Sequence, residues 1–179
     1  MNTGLVSSRY AHALYDYALQ KNAEEKVYAQ TKLLSKGFSE FVKLKSVLNN
    51  PVLGNSQKKE IILLAVNNEI DPVFDKFIDL VLENNRVDLL QFIALKYLDV
   101  FRKNKNIFAA RLTTAVEIDS ETEKNLMKVI ENYTNGTLEL DKTLNPDILG
   151  GFALEVDNTR WDATIAGQLS KIKKGLLEL

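Results

Sequence analysis

The sequence contains no cysteine and a single histidine, His12, so most of the residues that build metal centres and nucleophilic active sites are missing. Without cysteine there is no disulfide, no thiolate nucleophile and no cysteine-ligated metal. Ser8 and Asp16 lie near His12 through helical spacing alone, and catalysis would need a nucleophile and an acid oriented around the imidazole. We therefore expect a protein that is not an enzyme, with no catalytic residue, no metal ligand and no cofactor.

An excess of charge of either sign is also missing, because 23 lysine and arginine residues stand against 24 aspartate and glutamate residues. A protein that grips nucleic acid along its phosphates is normally basic, so nucleic acid is not an expected partner. Neither the Walker A pattern nor the dinucleotide pattern fits around Gly150 and Gly151, which more simply predict a turn. No small-molecule substrate is expected.

Long hydrophobic runs are missing too. The longest, Ile61 to Val66, falls far short of the ~20 residues that span a bilayer, so no membrane-spanning segment is expected. The first residues lack the basic and hydrophobic regions of a secretory signal. With 45% hydrophobic and 26% charged residues, the chain has the composition of a globular protein with a buried core.

The first hundred residues show apolar positions that recur at intervals of three and four, which indicates amphipathic helices. Asp71 is placed to cap one helix, with Pro72 at its first position, where a missing N–H costs nothing. Ser56 is predicted to cap the helix before it, and Asp88 with Gln91 resembles a capping box that opens the helix after it. The first three helices are predicted at residues 3–21, 23–39 and 40–48. The helix that Ser56 caps is the fourth, at residues 57–68, and the sixth ends in the polar run 102–106.

After residue 106 the pattern changes to an alternation of apolar and polar residues from Phe108 to Ile118, which predicts a strand. Ser120 with Glu123 predicts a helix that continues to about Tyr133. Further strands are predicted at residues 138–142, 152–156 and 160–162, and a final helix at residues 163–177. The predicted fold is mainly α, with an N-terminal six-helix bundle over residues 1–106 followed by a small α/β C-terminal domain over residues 107–179.

Helix one carries more apolar surface than a helix that faces a single core needs. At 100° per residue it divides into two stripes: Val6, Tyr10, Ala13 and Tyr17 in one, and Ala11, Leu14, Tyr15 and Ala18 in the other. Helix five likewise has two apolar sides: Phe74, Ile78, Val81 and Leu82 on one, and Val73, Phe77 and Leu80 on the other. Either the two helices form a groove for a partner's amphipathic helix, or both are simply central in the bundle. Which stripe faces outwards stays open.

The final helix carries a narrow apolar seam with spacings of four and three, as in a coiled coil. The seam consists of Ile165, Leu169, Ile172, Leu176 and Leu179. Packing of this seam onto the small sheet is the favoured explanation, and direct contact with a partner's helix is the alternative.

Several motifs, in their order and spacing, resemble those of one protein family. The first helix contains Arg-Tyr-Ala-His-Ala-Leu-Tyr at residues 9–15, helix five closes with Glu-Asn-Asn-Arg at residues 83–86, and helix three ends at Pro51. The most specific part is Asn-Pro-Asp-Ile-Leu-Gly-Gly-Phe at residues 145–152, followed by Asp-Ala-Thr-Ile at residues 162–165. Over its whole length the chain therefore resembles the delta subunits of F-type ATP synthases, the bacterial counterparts of the mitochondrial oligomycin-sensitivity-conferring protein.

The positions that carry the resemblance as structural motifs are Arg9, Arg86, Pro146, Gly150, Gly151, Asp162, Thr164 and Ile165. Two residues depart from the family's pattern: Asp157 stands where glycine is common, and Thr164 stands where serine is usual. Both departures concern local turn geometry, since aspartate tolerates a left-handed turn and threonine keeps the capping hydroxyl.

The resemblance implies a non-catalytic connector in the peripheral stalk, or stator, which links the catalytic head to the stalk helices and resists torque during proton-driven ATP synthesis. It implies that the N-terminal domain binds the N-terminal helix of an alpha subunit and that the C-terminal domain binds the C-terminal helices of the stalk's b subunits. The groove residues carried over in this way are Tyr10, Ala13, Leu14, Tyr17, Phe74, Phe77, Ile78 and Val81. Membrane contact is expected only through the complex, at the cytoplasmic face of the inner (plasma) membrane. A generic helical protein-binding adaptor is the alternative.

Overall fold

The computed structural model describes residues 3–67, 70–116, 136–156 and 159–177. The helix predicted at residues 120–133 lies outside the described residues. The chain divides into two compact units, Met1–Phe101 and Arg102–Leu179, and the division falls before the predicted boundary at residue 106. The coarse prediction is confirmed: a mainly helical N-terminal part is followed by a small sheet with α/β character.

Six α-helices precede the sheet in the described part of the chain. Their bounds are α1 Thr3–Gln20, α2 Glu24–Glu40, α3 Leu44–Leu48, α4 Asn55–Ala65, α5 Pro72–Glu83 and α6 Leu90–Lys105. A 3₁₀ turn at Val87–Leu89 leads directly into α6. None of the described helices is long and apolar enough to cross a membrane.

One of the predicted helix starts is confirmed in atomic detail. Asp71 is the N-cap of α5, its Oδ1 accepts a hydrogen bond of 2.9 Å from the Val73 N–H, and Pro72 is the first helical residue. The cap satisfies one of the amide groups that have no partner within the helix.

Three other predicted starts are wrong. Helix α4 begins at Asn55 with Gly54 as its N-cap, where Gln57 Oε1 accepts a 3.1 Å hydrogen bond from the Gly54 N–H, so Ser56 is not the cap. Asp88 lies within the 3₁₀ turn, and α6 begins only at Leu90. Helix α3 begins at Leu44 instead of residue 40, because Phe41 leaves the helical conformation with φ −106° and ψ 84°.

Asparagine ends four of the helices in place of the more usual glycine. Asn22, Asn67, Asn85 and Asn106 follow α1, α4, α5 and α6, and all have positive φ between 52° and 61°. Asparagine adopts this left-handed conformation at a lower cost than most residues with a Cβ.

The core of the helical unit is built around aromatic side chains of α1, α2 and α6. Tyr97 is completely buried and its hydroxyl donates a hydrogen bond of 3.2 Å to the Glu24 carbonyl oxygen. The rings of Tyr28 and Phe101 stack with centroids 4.1 Å apart, and Tyr15 packs near Tyr97 at 6.3 Å. Burial raises the pKa of the Tyr97 hydroxyl well above its usual value, so this group stays neutral and serves packing.

The second unit contains a four-stranded sheet in the order β2-β1-β3-β4. The strands are β1 Ile107–Thr114, β2 Thr137–Leu144, β3 Phe152–Val156 and β4 Thr159–Asp162, and helix α7 follows at Ile165–Leu177. Strand β1 pairs with β2 in parallel and with β3 antiparallel, and β3 pairs with β4 antiparallel. The apolar positions of the alternating pattern form the core of the sheet: Ala110, Leu112, Leu138, Leu154 and Val156.

Candidate partner-binding groove

The two apolar stripes of α1 have different surroundings. Ala11, Leu14, Tyr15 and Ala18 are buried in the core of the helical unit. In the other stripe, Tyr10 and Tyr17 are only half-buried and Ala13 is exposed. The stripe that contains Leu14 and Tyr15 therefore faces the core, and the stripe that contains Tyr10, Ala13 and Tyr17 faces outwards.

Helix α5 meets this outward stripe with the side that carries Phe77 and Leu80. The Tyr10 and Phe77 rings lie edge to face, with centroids 6.4 Å apart and an interplanar angle of 71°. One helical turn further along α5, Leu80 leaves about half of its surface exposed. An open apolar surface thus runs along the line where α1 and α5 meet.

This surface is a groove with a volume of about 480 Å³. Its lining residues are Arg9, Tyr10, Ala13, Leu14 and Tyr17 of α1 and Lys76, Phe77 and Leu80 of α5. Six of the eight side chains are apolar or aromatic, the other two are cationic, and none is acidic. The lining suits an apolar helix face whose flanking residues are acidic.

The predicted groove residues separate into two sets. Tyr10, Ala13, Leu14, Tyr17 and Phe77 line the groove. Phe74, Ile78 and Val81 are almost completely buried and do not line it. These three belong to the side of α5 that faces the core of the helical unit.

Lys76 and Leu80 line the groove but were not among the predicted site residues. The sequence placed Leu80 on the same side of the helix as Phe77, three residues away, so helical periodicity alone could have predicted Leu80 as a groove residue. Lys76 lies one turn before Leu80, and a cation at the edge of an apolar stripe is not distinguishable in sequence from an ordinary solvated lysine.

An ion cluster next to the groove holds α5 against α4. Lys59 Nζ lies 2.7 Å from Asp75 Oδ1 and 2.7 Å from Asp79 Oδ1. The hydrogen bonds that the Lys59 ammonium donates to the Asp75 and Asp79 carboxylates raise the pKa of Lys59 above its usual value. With this side of α5 tied to α4, Phe77 and Leu80 are left to face α1.

His12 is exposed on α1, as expected of a solvated residue. Within the described residues, no group of three or more histidine, cysteine, aspartate or glutamate side chains is arranged to hold a metal ion. Arg86 has a backbone role: its N–H donates a 2.9 Å hydrogen bond to the Val81 carbonyl oxygen. This bond, with Asn85 left-handed, closes the C-terminus of α5 as a Schellman motif.

The Asn-Pro-Asp-Ile-Leu-Gly-Gly motif forms a tight connection between β2 and β3. Pro146 opens a 3₁₀ turn capped by the Asn145 side chain, and Leu149 is left-handed with φ 65°. Gly150 and Gly151 have φ of 153° and 73°, conformations that residues with a Cβ rarely adopt. A Cβ on Gly151 would collide with the Ala163 carbonyl oxygen, so glycine allows two chain segments to touch.

The Asp-Ala-Thr-Ile motif caps α7. Asp162 Oδ1 accepts hydrogen bonds from the Thr164 hydroxyl at 2.7 Å and from the Thr164 N–H at 3.0 Å. Thr164 Oγ1 in turn accepts a 2.9 Å hydrogen bond from the Gly167 N–H. These bonds from Thr164 lower the pKa of the Asp162 carboxyl. The Ile165 N–H donates to the Gly150 carbonyl oxygen at 3.1 Å, which joins the two motifs.

The apolar seam of α7 is not covered by the sheet where the structure describes it. Ile165, Leu169 and Ile172 are 45%, 54% and 60% exposed. Leu176 and Leu179 fall outside the residues whose side chains are described. The favoured explanation, packing of the seam onto the sheet, is therefore wrong for these three residues. They form an exposed apolar row on α7.

Comparison with known proteins gives a consistent set of matches. The family model described as ATP synthase delta (OSCP) subunit matches residues 6–176. A protein called ATP synthase subunit delta from Bacteroides thetaiotaomicron is 39% identical over 180 residues, covering 99% of this chain and 97% of the relative. Its counterpart from Parabacteroides distasonis is 38% identical over 178 residues, covering 99% of each chain.

Solved structures include a similar fold. A chain in the cryo-EM structure of the Toxoplasma gondii mitochondrial ATP synthase hexamer aligns with a TM-score of 0.71 and 22% identity. The alignment covers 96% of this chain and 97% of that chain. At this identity the likeness concerns the fold alone.

Proposed function

The chain belongs to the ATP synthase delta (OSCP) subunit family, and from this premise we propose that it joins the catalytic head to the peripheral stalk through two separate surfaces. As a member of this family it is a non-catalytic component of the peripheral stalk. The proposal assigns the N-terminal helix of an alpha subunit to the groove between α1 and α5. It assigns the C-terminal helices of the b subunits to the second unit.

The observation that carries the first assignment is the outward stripe of α1. A helix in a monomeric bundle buries its apolar surface, yet Tyr10, Ala13 and Tyr17 face an open groove. An amphipathic helix recognises such a groove through apolar residues at intervals of three and four. Arg9 and Lys76 add a charge requirement, so the bound helix should carry acidic residues beside its apolar face.

The exposed row on α7 supports the second assignment. Ile165, Leu169 and Ile172 repeat at the spacing by which two helices pack side by side. Helices of the stalk would cover them. We propose that α1 to α6 form a six-helix bundle over residues 1–106 that binds the head, and that residues 107–179 form the domain that binds the stalk.

In this role the chain catalyses no reaction. It resists torque during proton-driven ATP synthesis. Two binding surfaces on one chain allow a head and a stalk to be held together without a covalent link. The chain would contact the membrane only through the complex, at the cytoplasmic face of the inner (plasma) membrane.

Calorimetric titration tests the groove. The full-length chain is titrated with a synthetic peptide of the N-terminal helix of the same organism's alpha subunit. Ala13→Glu and Leu80→Asp place a charge in the groove at positions that are not buried, and each should weaken binding by at least about tenfold. Leu95→Asp is the matched control, because Leu95 is a similarly exposed leucine on α6 that does not line the groove.

Two results would contradict the groove assignment: no binding to a wild-type chain with normal circular dichroism, or equal losses for Leu80→Asp and Leu95→Asp. The α7 row is tested separately with a C-terminal peptide of the b subunit. Leu169→Asp should weaken that binding and leave binding of the alpha peptide unchanged.

A further inference from the structure

Leu149 is an exception among the residues with positive φ. Leu149 has φ 65° and ψ −17°, a left-handed conformation in which the Cβ of a leucine crowds the backbone. In the described part of the chain, the other residues with positive φ are asparagines or glycines: Asn22, Asn67, Asn85, Asn106, Gly150 and Gly151. Either residue type adopts such a conformation at a lower cost than leucine. The backbone at residue 149 therefore does not favour the leucine that stands there.

Burial does not explain this leucine either. Its side chain is 64% exposed, whereas leucine is among the residues most often buried in folded proteins. In the chain by itself, Leu149 thus combines an unfavourable backbone conformation with an apolar side chain in water. Residues held in such conformations cluster at sites that bind other molecules, so the combination points to a role outside the folding of the chain.

The turn around Leu149 is held on both sides. The Leu149 N–H donates a 3.0 Å hydrogen bond to the carbonyl oxygen of Pro146, whose ring fixes its own φ. On the other side, Gly151 packs so closely against the Ala163 carbonyl group that a Cβ would not fit. The Leu149 side chain is therefore presented from a preformed turn, and binding through it requires little ordering of the backbone.

Leu149 lies next to the start of the exposed row on α7. The carbonyl oxygen of Gly150, the next residue in the chain, accepts a 3.1 Å hydrogen bond from the Ile165 N–H. The Ile165 side chain reaches over Gly150, since its Cδ1 lies 2.8 Å from the point that a Cβ on Gly150 would occupy. Consecutive Cα atoms are only about 3.8 Å apart, so a helix about 10 Å across that covers Ile165 is within reach of Leu149.

We propose that Leu149 is a further residue of the stalk-binding surface, where it extends the α7 row beyond Ile165 and contacts an aliphatic side chain on the apolar face of a b-subunit helix. The inference rests on the proposed function, because it assumes that the b-subunit helices cover the row. A helix is the occupant because the row has the spacing of helix–helix packing and the chain is a component of the peripheral stalk. An apolar partner removes the exposed surface of Leu149 from water, which offsets the cost of its backbone conformation.

Leu149→Gly separates binding from folding. The full-length chain is titrated calorimetrically with a synthetic peptide of the C-terminal helix of the same organism's b subunit. Unfolding of the same variants in urea is followed by the fluorescence of Trp161. Glycine removes the apolar side chain and relieves the backbone, so peptide binding should weaken by about tenfold while the urea midpoint stays at or above that of wild type. A residue with a purely structural role would lower the urea midpoint as well.

Three further variants complete the test. Leu149→Met keeps an apolar side chain of similar volume, so it should bind the peptide within about twofold of wild type. Leu149→Asn suits the left-handed conformation but is polar, so it should weaken binding as glycine does. Leu64→Asn is the matched control, because Leu64 is a similarly exposed leucine on α4 of the helical unit, and it should leave binding of the b peptide unchanged.

Four results would overturn the inference. Unchanged binding by Leu149→Gly, with binding weakened by Leu169→Asp, would refute the role of Leu149 and leave the α7 assignment intact. Weaker binding together with a lower urea midpoint for Leu149→Gly would make Leu149 a structural residue. Equal losses for Leu149→Asn and Leu64→Asn would show that the loss is not specific to this surface. No binding of the peptide to a folded wild-type chain would refute both the α7 assignment and this inference.

Discussion

Tyr10 of α1 and Phe77 of α5 meet edge to face with ring centroids 6.4 Å apart, and both side chains line the groove. Edge-to-face pairs are favourable because the positive ring edge of one residue points at the negative face of the other. The pair therefore has two roles: it joins α1 to α5, and it presents aromatic surface to whatever occupies the groove.

The cations at the groove should control how fast a partner helix binds. Reversing both charges, Arg9→Glu with Lys76→Glu, should lower the association rate of the alpha-subunit peptide by about tenfold at low salt, because electrostatic attraction guides the encounter. Stopped-flow measurements at several salt concentrations check this. An association rate of the wild-type chain that does not change with salt would contradict it. Lys26→Glu with Lys43→Glu is the control for net charge, because it makes the same change at two exposed lysines that do not line the groove.

Replacement of Thr31 on α2 by valine should stabilise the folded chain. Its side chain is almost completely buried, and its hydroxyl has no hydrogen-bond partner in the described structure. A buried polar group without a partner is destabilising, so Thr31→Val should raise the free energy of unfolding by about 1 kcal/mol. Urea denaturation followed by circular dichroism measures this.

Thr164→Val provides the opposite case at a similarly buried site. The Thr164 hydroxyl both donates to Asp162 and accepts from Gly167, so the same change should destabilise the C-terminal unit. If both threonine variants shift stability in the same direction, hydrogen bonding of the hydroxyl is not the deciding factor.

Asp162 should make the stability of the second unit depend on pH. Its pKa is lowered in the folded chain, so its stabilising effect is fully present above the unfolded-state value of about 4 and is lost as pH falls through the lowered pKa. The stability difference between wild type and Asp162→Asn should therefore be constant at neutral pH and shrink in acid.

Denaturation between pH 2.5 and 7, followed by the fluorescence of the single tryptophan, Trp161, measures this difference in the unit concerned. Asp16→Asn, an exposed position on α1, is the control. A difference that grows in acid would contradict the assigned direction of the pKa shift.

Gly151→Ala should destabilise the second unit by more than about 1 kcal/mol, because φ of 73° is strained for alanine and the new methyl group would meet the Ala163 carbonyl. Gly54→Ser is the control, since Gly54 has φ −70° and open space around a new Cβ. Unfolding followed both by Trp161 fluorescence, which reports on the second unit, and by circular dichroism, which reports on both units, distinguishes the two variants. An unchanged midpoint for Gly151→Ala would show that the contact can relax.

The groove shows what helical periodicity can and cannot predict about which side chains are exposed. The wheel of α1 separated its apolar residues into the two stripes that the structure has, with Tyr10 in one and Leu14 in the other. The wheel of α5 likewise put Phe74 and Ile78 on one side and Phe77 on the other, but the resemblance to the family assigned both sides to the groove. The structure buries Phe74 and Ile78 in the core, and Phe77 lines the groove. Side chains 100° apart on a wheel both read as apolar, and only the neighbouring helices decide which one is covered.

The capping errors have a similar origin. Asp71 was predicted correctly because proline after an acidic N-cap is a strong local signal. Ser56 was wrong because Gly54 and Gln57 offer an alternative start two residues earlier, and the two differ by too little locally to be distinguished. The exposed seam of α7 was assigned to the sheet because its spacing fits either a sheet or a helix as the covering surface.

The sequence by itself determined which segments are helices and strands, the absence of cysteine chemistry, and the motifs that identify the family, because periodicity, composition and local turn residues are properties of neighbouring positions. Only the tertiary structure decided that Tyr10, Ala13 and Tyr17 face an open groove while Leu14 also reaches the core, and that the α7 row is uncovered. Burial depends on which other elements pack against a face, and that is determined by contacts between residues far apart in the chain.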